Sequence, residues 1–159
     1  MQSASIRLAE AFHRFRPVAA SDPLLSLECA LKAMSMRHSS LRAFLDGQHP
    51  ADEFWREIEA EVRECLDSCA KFGAGRVIIN DAPDTPLTRK DMTVLLGALA
   101  EGKVPLEAAS YIADAIIMSH TFEFEDDAVA EAVHFLADDS APLTQAEVGQ
   151  VHSRLATAS

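Results

Sequence analysis

The sequence predicts an all-α fold, a single domain at 1–159 that forms a bundle of six to seven helices. Its 159 residues are 48% hydrophobic, which is enough to build one core. The chain has only one Trp, one Tyr, 6 Gly and 7 Pro, and its abundant Ala, Leu and Glu favour helix over sheet. Apolar residues also recur every three to four positions along most of the chain, which is the spacing of amphipathic helices.

Two helices are predicted at the N-terminus. The first is amphipathic, and its apolar face comprises Ile6, Leu8, Ala11 and Phe12. The second begins at Ser21 or Asp22, because Pro23 suits the first turn of a helix. Its apolar face comprises Leu24, Leu27, Leu31 and Met34. Residues 34–46 either extend this helix or form a short separate one that closes at Gly47.

The longest helix is predicted from Pro50 or Ala51 to Phe72, where Gly73 stops it. Its apolar stripe comprises Phe54, Ile58, Val62, Cys65, Leu66 and Cys69. A second face carries four glutamates with no cation at the matching spacing: Glu53, Glu57, Glu61 and Glu64. Because unpaired like charges destabilise a helix, this acidic stripe is interpreted either as a surface for a partner or as a solvated face.

One short extended segment is predicted near 77–80, where Val77, Ile78 and Ile79 form the only strand-like run. Residues 81–86 contain two prolines and two aspartates, so we predict a loop. This loop would join two possible sub-halves of the domain, residues 1–80 and 87–159.

Four further helices are predicted from their start signals. Thr88 and Asp91 have the spacing of a capping box, and the helix that they open ends at Gly102. Pro105 opens the next helix, and Asp126 or Asp127 caps the third, with Phe122 and Phe124 as hydrophobic staples before it. Thr144 and Glu147 repeat the capping-box spacing at the start of the last helix.

The formal net charge is −11, and residues 91–159 carry two cations, Lys103 and Arg154, against twelve acidic residues. This balance excludes bulk binding to nucleic-acid phosphates, which requires excess Lys and Arg. No apolar run reaches the roughly 18 to 20 residues of a membrane span, so no membrane contact is expected. The acidity is interpreted either as a means of solubility or as steering of a basic protein partner.

Three cysteines do not make a disulfide framework, and they favour a reducing, cytoplasmic location. Cys65 and Cys69 lie on the apolar stripe of the long helix, so both are predicted to be buried thiols. The alternative is a zinc site that combines this pair with Cys29 or a histidine.

The chain has no Gly-rich phosphate loop, GxSxG elbow, HExxH helix or EF-hand loop. Its six histidines are scattered, so neither catalysis nor a cofactor is expected. The alternative is a small metal-dependent enzyme, because His120 stands close to Glu123 and Glu125 in the sequence.

The helix opened by Pro105 has a polar outer face opposite its apolar one, with Glu107, Tyr111, Asp114 and Met118 at helical spacing. Tyrosine and methionine are enriched at interface centres, so Tyr111 is predicted to be an exposed anchor for a partner. In the alternative interpretation, Tyr111 packs on a neighbouring helix and its hydroxyl reaches water.

Residues 41–55, LRAFLDGQHPADEFW, resemble the opening of small bacterial immunity proteins of the colicin D type. In both, an apolar helix ends in Phe-Leu-x-Gly and a second helix begins at Glu-Phe. The resemblance implies an acidic helical bundle that neutralises a co-expressed nuclease toxin by covering its active site.

These observations predict an acidic cytoplasmic binding protein, an immunity or inhibitor protein that occludes the basic active site of a toxin. The alternative is a helical scaffold without catalysis that self-associates as a homodimer. The predicted partner-binding surface comprises Glu53, Glu57, Glu61, Glu64, Glu107, Tyr111, Asp114, Glu123, Glu125, Asp126 and Asp127.

Overall fold

The computed structural model describes residues 36–73, 75, 77 and 83–157. These residues form six α-helices and two short strands, which confirms the predicted all-α class. The predicted helices at the N-terminus, together with Cys29, lie outside the described residues. The helices are α1 (His38–Leu45), α2 (Ala51–Phe72), α3 (Arg89–Ala100), α4 (Ala109–Ser119), α5 (Asp127–Ala137) and α6 (Gln145–Thr157).

The helix termini follow their sequence signals. Gly73 ends α2 in the left-handed region at φ 70°, a conformation that glycine adopts without a steric penalty. Thr88 and Asp91 form the predicted capping box at the start of α3. At α6, the Thr144 hydroxyl accepts from the Glu147 backbone N–H, and the Glu147 carboxylate accepts from the Thr144 backbone N–H.

Two strands, β1 (Thr85–Leu87) and β2 (Phe122–Phe124), pair in parallel. Residues 85 and 86 therefore do not belong to the predicted loop, and Phe122 and Phe124 belong to a strand as well as preceding a helix. Hydrogen bonds at both ends hold the pair: the Thr85 N–H donates to the Thr121 carbonyl and the Glu125 N–H donates to the Leu87 carbonyl. Of the predicted extended segment near 77–80, only Val77 is described, and it lies outside any strand.

The buried side chains form one cluster that includes residues from both predicted sub-halves. Its centre is α3, which packs most extensively against α6 and also contacts α1 and α5, while α4 packs against α5. None of the helices in the described part of the chain is long and apolar enough to cross a membrane.

The apolar stripe of α2 is buried only in its first half. Phe54, Ile58 and Val62 are buried, whereas Leu66 is 38% exposed and Phe72 is 80% exposed. Since ten residues follow Val62 in α2, the helix extends about 15 Å past its last buried side chain. The prediction of a continuous buried stripe to Cys69 is therefore wrong, because helical periodicity gives the direction of a side chain and not the length of the surface that covers it.

A partly buried ion pair joins α1 to the start of α3. Arg42 Nη1 and Nη2 donate to the two carboxylate oxygens of Asp91 at 3.2 and 2.5 Å. Arg42 also donates to the Pro86 carbonyl at 3.3 Å and to Asp46 at 2.7 Å. Asp91 is only 4% exposed. Burial alone would raise the pKa of Asp91, but the hydrogen bonds from Arg42 and Thr88 outweigh it and lower that pKa.

Candidate functional site

The glutamates of α2 line one side of the helix, and tertiary contacts orient part of this acidic stripe. Glu53, Glu57 and Glu64 are exposed. The Ser40 hydroxyl in α1 donates to Glu57 Oε2 at 2.6 Å. His49 lies beside both N-terminal members, with Nε2 3.4 Å from Glu57 and Nδ1 3.8 Å from Glu53. The helix itself supplies no cation to these carboxylates, but the turn before it supplies an imidazole.

Glu61 and Tyr111 connect the acidic stripe to α4. The Tyr111 hydroxyl donates to Glu61 Oε2 at 2.9 Å. Burial raises the pKa of Tyr111, and the bond to Glu61 adds to this because it favours the protonated phenol. Burial also raises the pKa of Glu61, with further contributions from Glu57 and Glu64, although the Tyr111 hydrogen bond acts in the opposite direction. The pair fixes the centre of the stripe against the body of the protein.

Tyr111 is only 4% exposed, so its predicted position on an outer face is wrong. The physical reason is the composition of α4, where Ile112, Ala113, Ala115 and Ile116 are buried as well. The alternative interpretation, packing on a neighbouring helix, is closer to the structure, but the hydroxyl binds Glu61. Of the other residues predicted for this face, Glu107 and Met118 are exposed and Asp114 is half-buried.

Asp114 is a half-buried carboxylate whose pKa is strongly perturbed. Burial, with a smaller contribution from Asp139, raises its pKa to about 6. The ionised carboxylate is therefore disfavoured in the folded state. Ionised Asp114 therefore lowers the free energy of unfolding. This loss grows as the pH rises from the unfolded-state pKa near 3.8 to the folded-state pKa, and it is complete above the folded-state pKa.

Replacing Asp114 by asparagine is expected to stabilise the protein by about 1 kcal/mol at pH 7.5, a value reduced for the partial exposure of the carboxylate. The gain should shrink as the pH falls and vanish by about pH 4. Urea unfolding across this pH range measures it, with Glu107→Gln, at an exposed site, as the control. A gain of the same size at every pH would contradict the assignment.

The remaining predicted residues lie around β2 and the start of α5. Two of them have structural roles: Glu125 Oε2 accepts the backbone N–H of Arg89 at 2.8 Å, and Asp126 pairs with Arg89 Nε at 2.6 Å. Asp126 also caps α5 by accepting the backbone N–H of Val129. Glu123 and Asp127 are exposed. The predicted surface thus divides into an α2 set, which Tyr111 contacts through Glu61, and a β2–α5 set.

The alternative metal sites gain no support from the described residues. His120 is exposed and ends α4 at φ 55°, in the left-handed region. Over the described ranges, no group of three or more His, Cys, Asp or Glu side chains is arranged to hold a metal ion. Cys65 is half-buried and Cys69 is exposed, so the prediction that both are buried is wrong for Cys69.

Ser40 and His49 were not predicted as part of the acidic stripe. Their positions beside the stripe result from the antiparallel arrangement of α1 and α2. In this arrangement Phe44 stacks on Phe54 with ring centroids 4.4 Å apart. A short connection containing Gly47 between two amphipathic helices is the signal that predicts such a hairpin. Placing α1 against α2 on that basis would have brought Ser40 close to Glu57.

Comparisons of the chain with protein-family models, with curated proteins and with solved structures find no match.

Proposed function

We propose that this chain is an acidic cytoplasmic binding protein that inhibits a basic partner protein, as an immunity protein inhibits a nuclease toxin. The observation that carries the proposal is the acidic stripe of α2. The stripe combines three exposed carboxylates with the half-buried Glu61 on a single helix, and contacts with Ser40, His49 and Tyr111 orient it. Side chains that are held before binding lose less conformational entropy in a complex than free ones.

The stripe suits a cleft that normally receives nucleic-acid phosphates. Successive members, such as Glu53, Glu57 and Glu61, rise about 6 Å along the helix axis at each step, so they form a line of negative charge. Carboxylates in such a line can occupy the positions of phosphates against Lys and Arg side chains. Complementary charge also accelerates association, which an inhibitor of a toxin requires. The exposed Glu123 and Asp127 add negative charge near the start of α5.

A second candidate, self-association, has its own supporting observation. Leu66, Phe72 and Met118 are large apolar side chains that are 38%, 80% and 40% exposed. A homodimer would remove them from water. Sedimentation of the full chain decides this candidate, because a strictly monomeric species at high concentration contradicts it. Neither candidate involves catalysis.

The inhibitor proposal is tested with the full chain immobilised and exposed to lysate from the cells that express it, at low and at high salt. We expect a basic protein to be retained at low salt and released at high salt. Once identified and purified, that protein should lose its activity when the full chain is added. Retention of no basic protein would overturn the proposal.

Charge reversal then locates the surface. Glu64→Lys should lower the association rate constant for the purified partner by about tenfold at low salt, and the difference should fade at high salt. Glu131→Lys is the matched control, because it makes the same change in net charge at an exposed helical position of α5. Equal effects of the two variants would show that net charge alone acts and that α2 is not the surface.

A further inference from the structure

His38, the first residue of α1, is buried against β2. It is 8% exposed, and its ring stacks on Phe122 with ring centroids 4.9 Å apart. Its Nε2 atom is buried and has no hydrogen-bond partner among the described residues. Protonation would place a charge and an unpaired N–H donor in this site, which costs far more than burying a neutral ring. The contact between α1 and β2 therefore favours the neutral imidazole.

The charges near His38 also oppose its protonation. Burial, with a smaller contribution from Arg42 one turn along α1, lowers the pKa of His38. The N-terminus of a helix carries a partial positive charge, and the first turn of α1 contains no acidic residue that would offset an added cation. In β2, Glu123 follows Phe122, so its side chain points to the opposite face of the strand.

The acidic groups that contact α1 have other partners. Glu57 of α2 accepts a hydrogen bond from the Ser40 hydroxyl. Asp46 and Asp91 both pair with Arg42. In the described part of the chain, none of these carboxylates forms an ion pair with the imidazole, so an imidazolium would lack a counter-charge at this junction.

We propose that His38 is a pH-sensitive switch: its neutral imidazole holds the first turn of α1 against β2, and protonation releases this turn. Since the pKa of His38 is lowered, the stabilising effect of the contact is complete above the unfolded-state pKa of 6.5 and is lost as the pH falls through the folded-state pKa. Ser40 lies in the same turn, so its release removes the hydrogen bond to Glu57 in the acidic stripe. The switch involves this chain alone and is independent of the inhibitor proposal.

The test is hydrogen exchange of the full chain, measured by NMR at about pH 7.5 and about pH 5 and expressed as protection factors. The backbone amides of Ser40 and Leu41 donate to the Arg37 carbonyl, so they report on the first turn of α1. Their protection factors are expected to fall by about threefold or more at the lower pH. The amide of Val148, in the first turn of α6, is the internal control and should keep its protection.

His38→Phe keeps a ring against Phe122 but cannot be protonated, so its first turn should be equally protected at both pH values. His134→Phe is the matched control, because it makes the same replacement at an exposed position and should keep the wild-type pH dependence. Asp114 titrates in the same range but is present in all three chains. The proposal is overturned if wild-type protection does not change, if the His38 imidazole titrates by NMR at or above its ordinary pKa of 6.5, or if His38→Phe keeps the pH-dependent loss.

Discussion

Replacing Asp91 by alanine is expected to lower the free energy of unfolding by about 3 kcal/mol, the lower end of the cost of breaking a buried ion pair by removing one partner, because the arginine is only partly buried. Asp91 is 4% exposed and accepts two hydrogen bonds from Arg42. Its loss leaves the guanidinium in a partly buried site without its main counter-charge. It also removes the capping box of α3, because the Thr88 backbone N–H donates to the same carboxylate.

Urea unfolding of the purified chain measures this effect. Asp52→Ala is the matched control, because Asp52 pairs with Arg56 at 3.2 Å on the surface of α2, where both side chains are exposed. Such pairs contribute at most about 1 kcal/mol. If the two variants lost equal stability, the Arg42–Asp91 pair would not stabilise the junction of α1 and α3.

The pH dependence of this contribution has the opposite sign to that of Asp114. The pKa of Asp91 is lowered in the folded state, so its stabilising contribution is complete above the unfolded pKa of 3.8 and is lost as the pH falls through the folded value. The pKa of Asp114 is raised, so its unfavourable contribution appears as the pH rises towards 6. Towards neutral pH, the ionised carboxylate of Asp91 therefore stabilises the folded state, and the ionised carboxylate of Asp114 destabilises it.

The second large effect is expected from Phe54→Ala, at about 3 to 5 kcal/mol. Phe54 is 0% exposed, and its ring stacks on Phe44 with an interplanar angle of 2°. Truncation removes the buried apolar surface and leaves a cavity between α1 and α2. This contact also aligns Ser40 with Glu57. The variant should therefore hold the acidic stripe less firmly in its orientation, in addition to being less stable.

Thermal or urea unfolding measures the loss, and Phe72→Ala is a control on the same helix. Phe72 is 80% exposed, so its truncation should change the free energy of unfolding by no more than about 0.5 kcal/mol. A comparable loss from both variants would indicate that the end of α2 is buried in solution, as it would be in a homodimer.

Local signals in the sequence account for the helices. The starts of α3 and α6 follow from Thr88–Asp91 and Thr144–Glu147, and the end of α2 follows from Gly73. Each of these features depends on residues within one turn of one another, so a single sequence contains the information that determines them.

The errors arise where contacts between distant segments decide the outcome. The strands β1 and β2 are each three residues long and are stabilised by pairing with one another, which periodicity does not reveal. Tyr111 has a polar hydroxyl and neighbours two acidic positions, so its surroundings in sequence indicate an outer face. Its burial depends on Glu61 in another helix, which supplies the hydrogen bond that a buried phenol requires.

The parallel pairing of β1 with β2 has a consequence for the order of folding. Parallel strands cannot be joined by a tight turn, and here α3 and α4 lie in the connection between them. Bringing the strand ends together before these helices form would carry the full loop-closure entropy of a flexible chain. The helices should therefore form first, and their packing should then bring the two strands together. The amides of Thr85 and Glu125, whose hydrogen bonds close the pair, should consequently acquire protection from hydrogen exchange late in refolding.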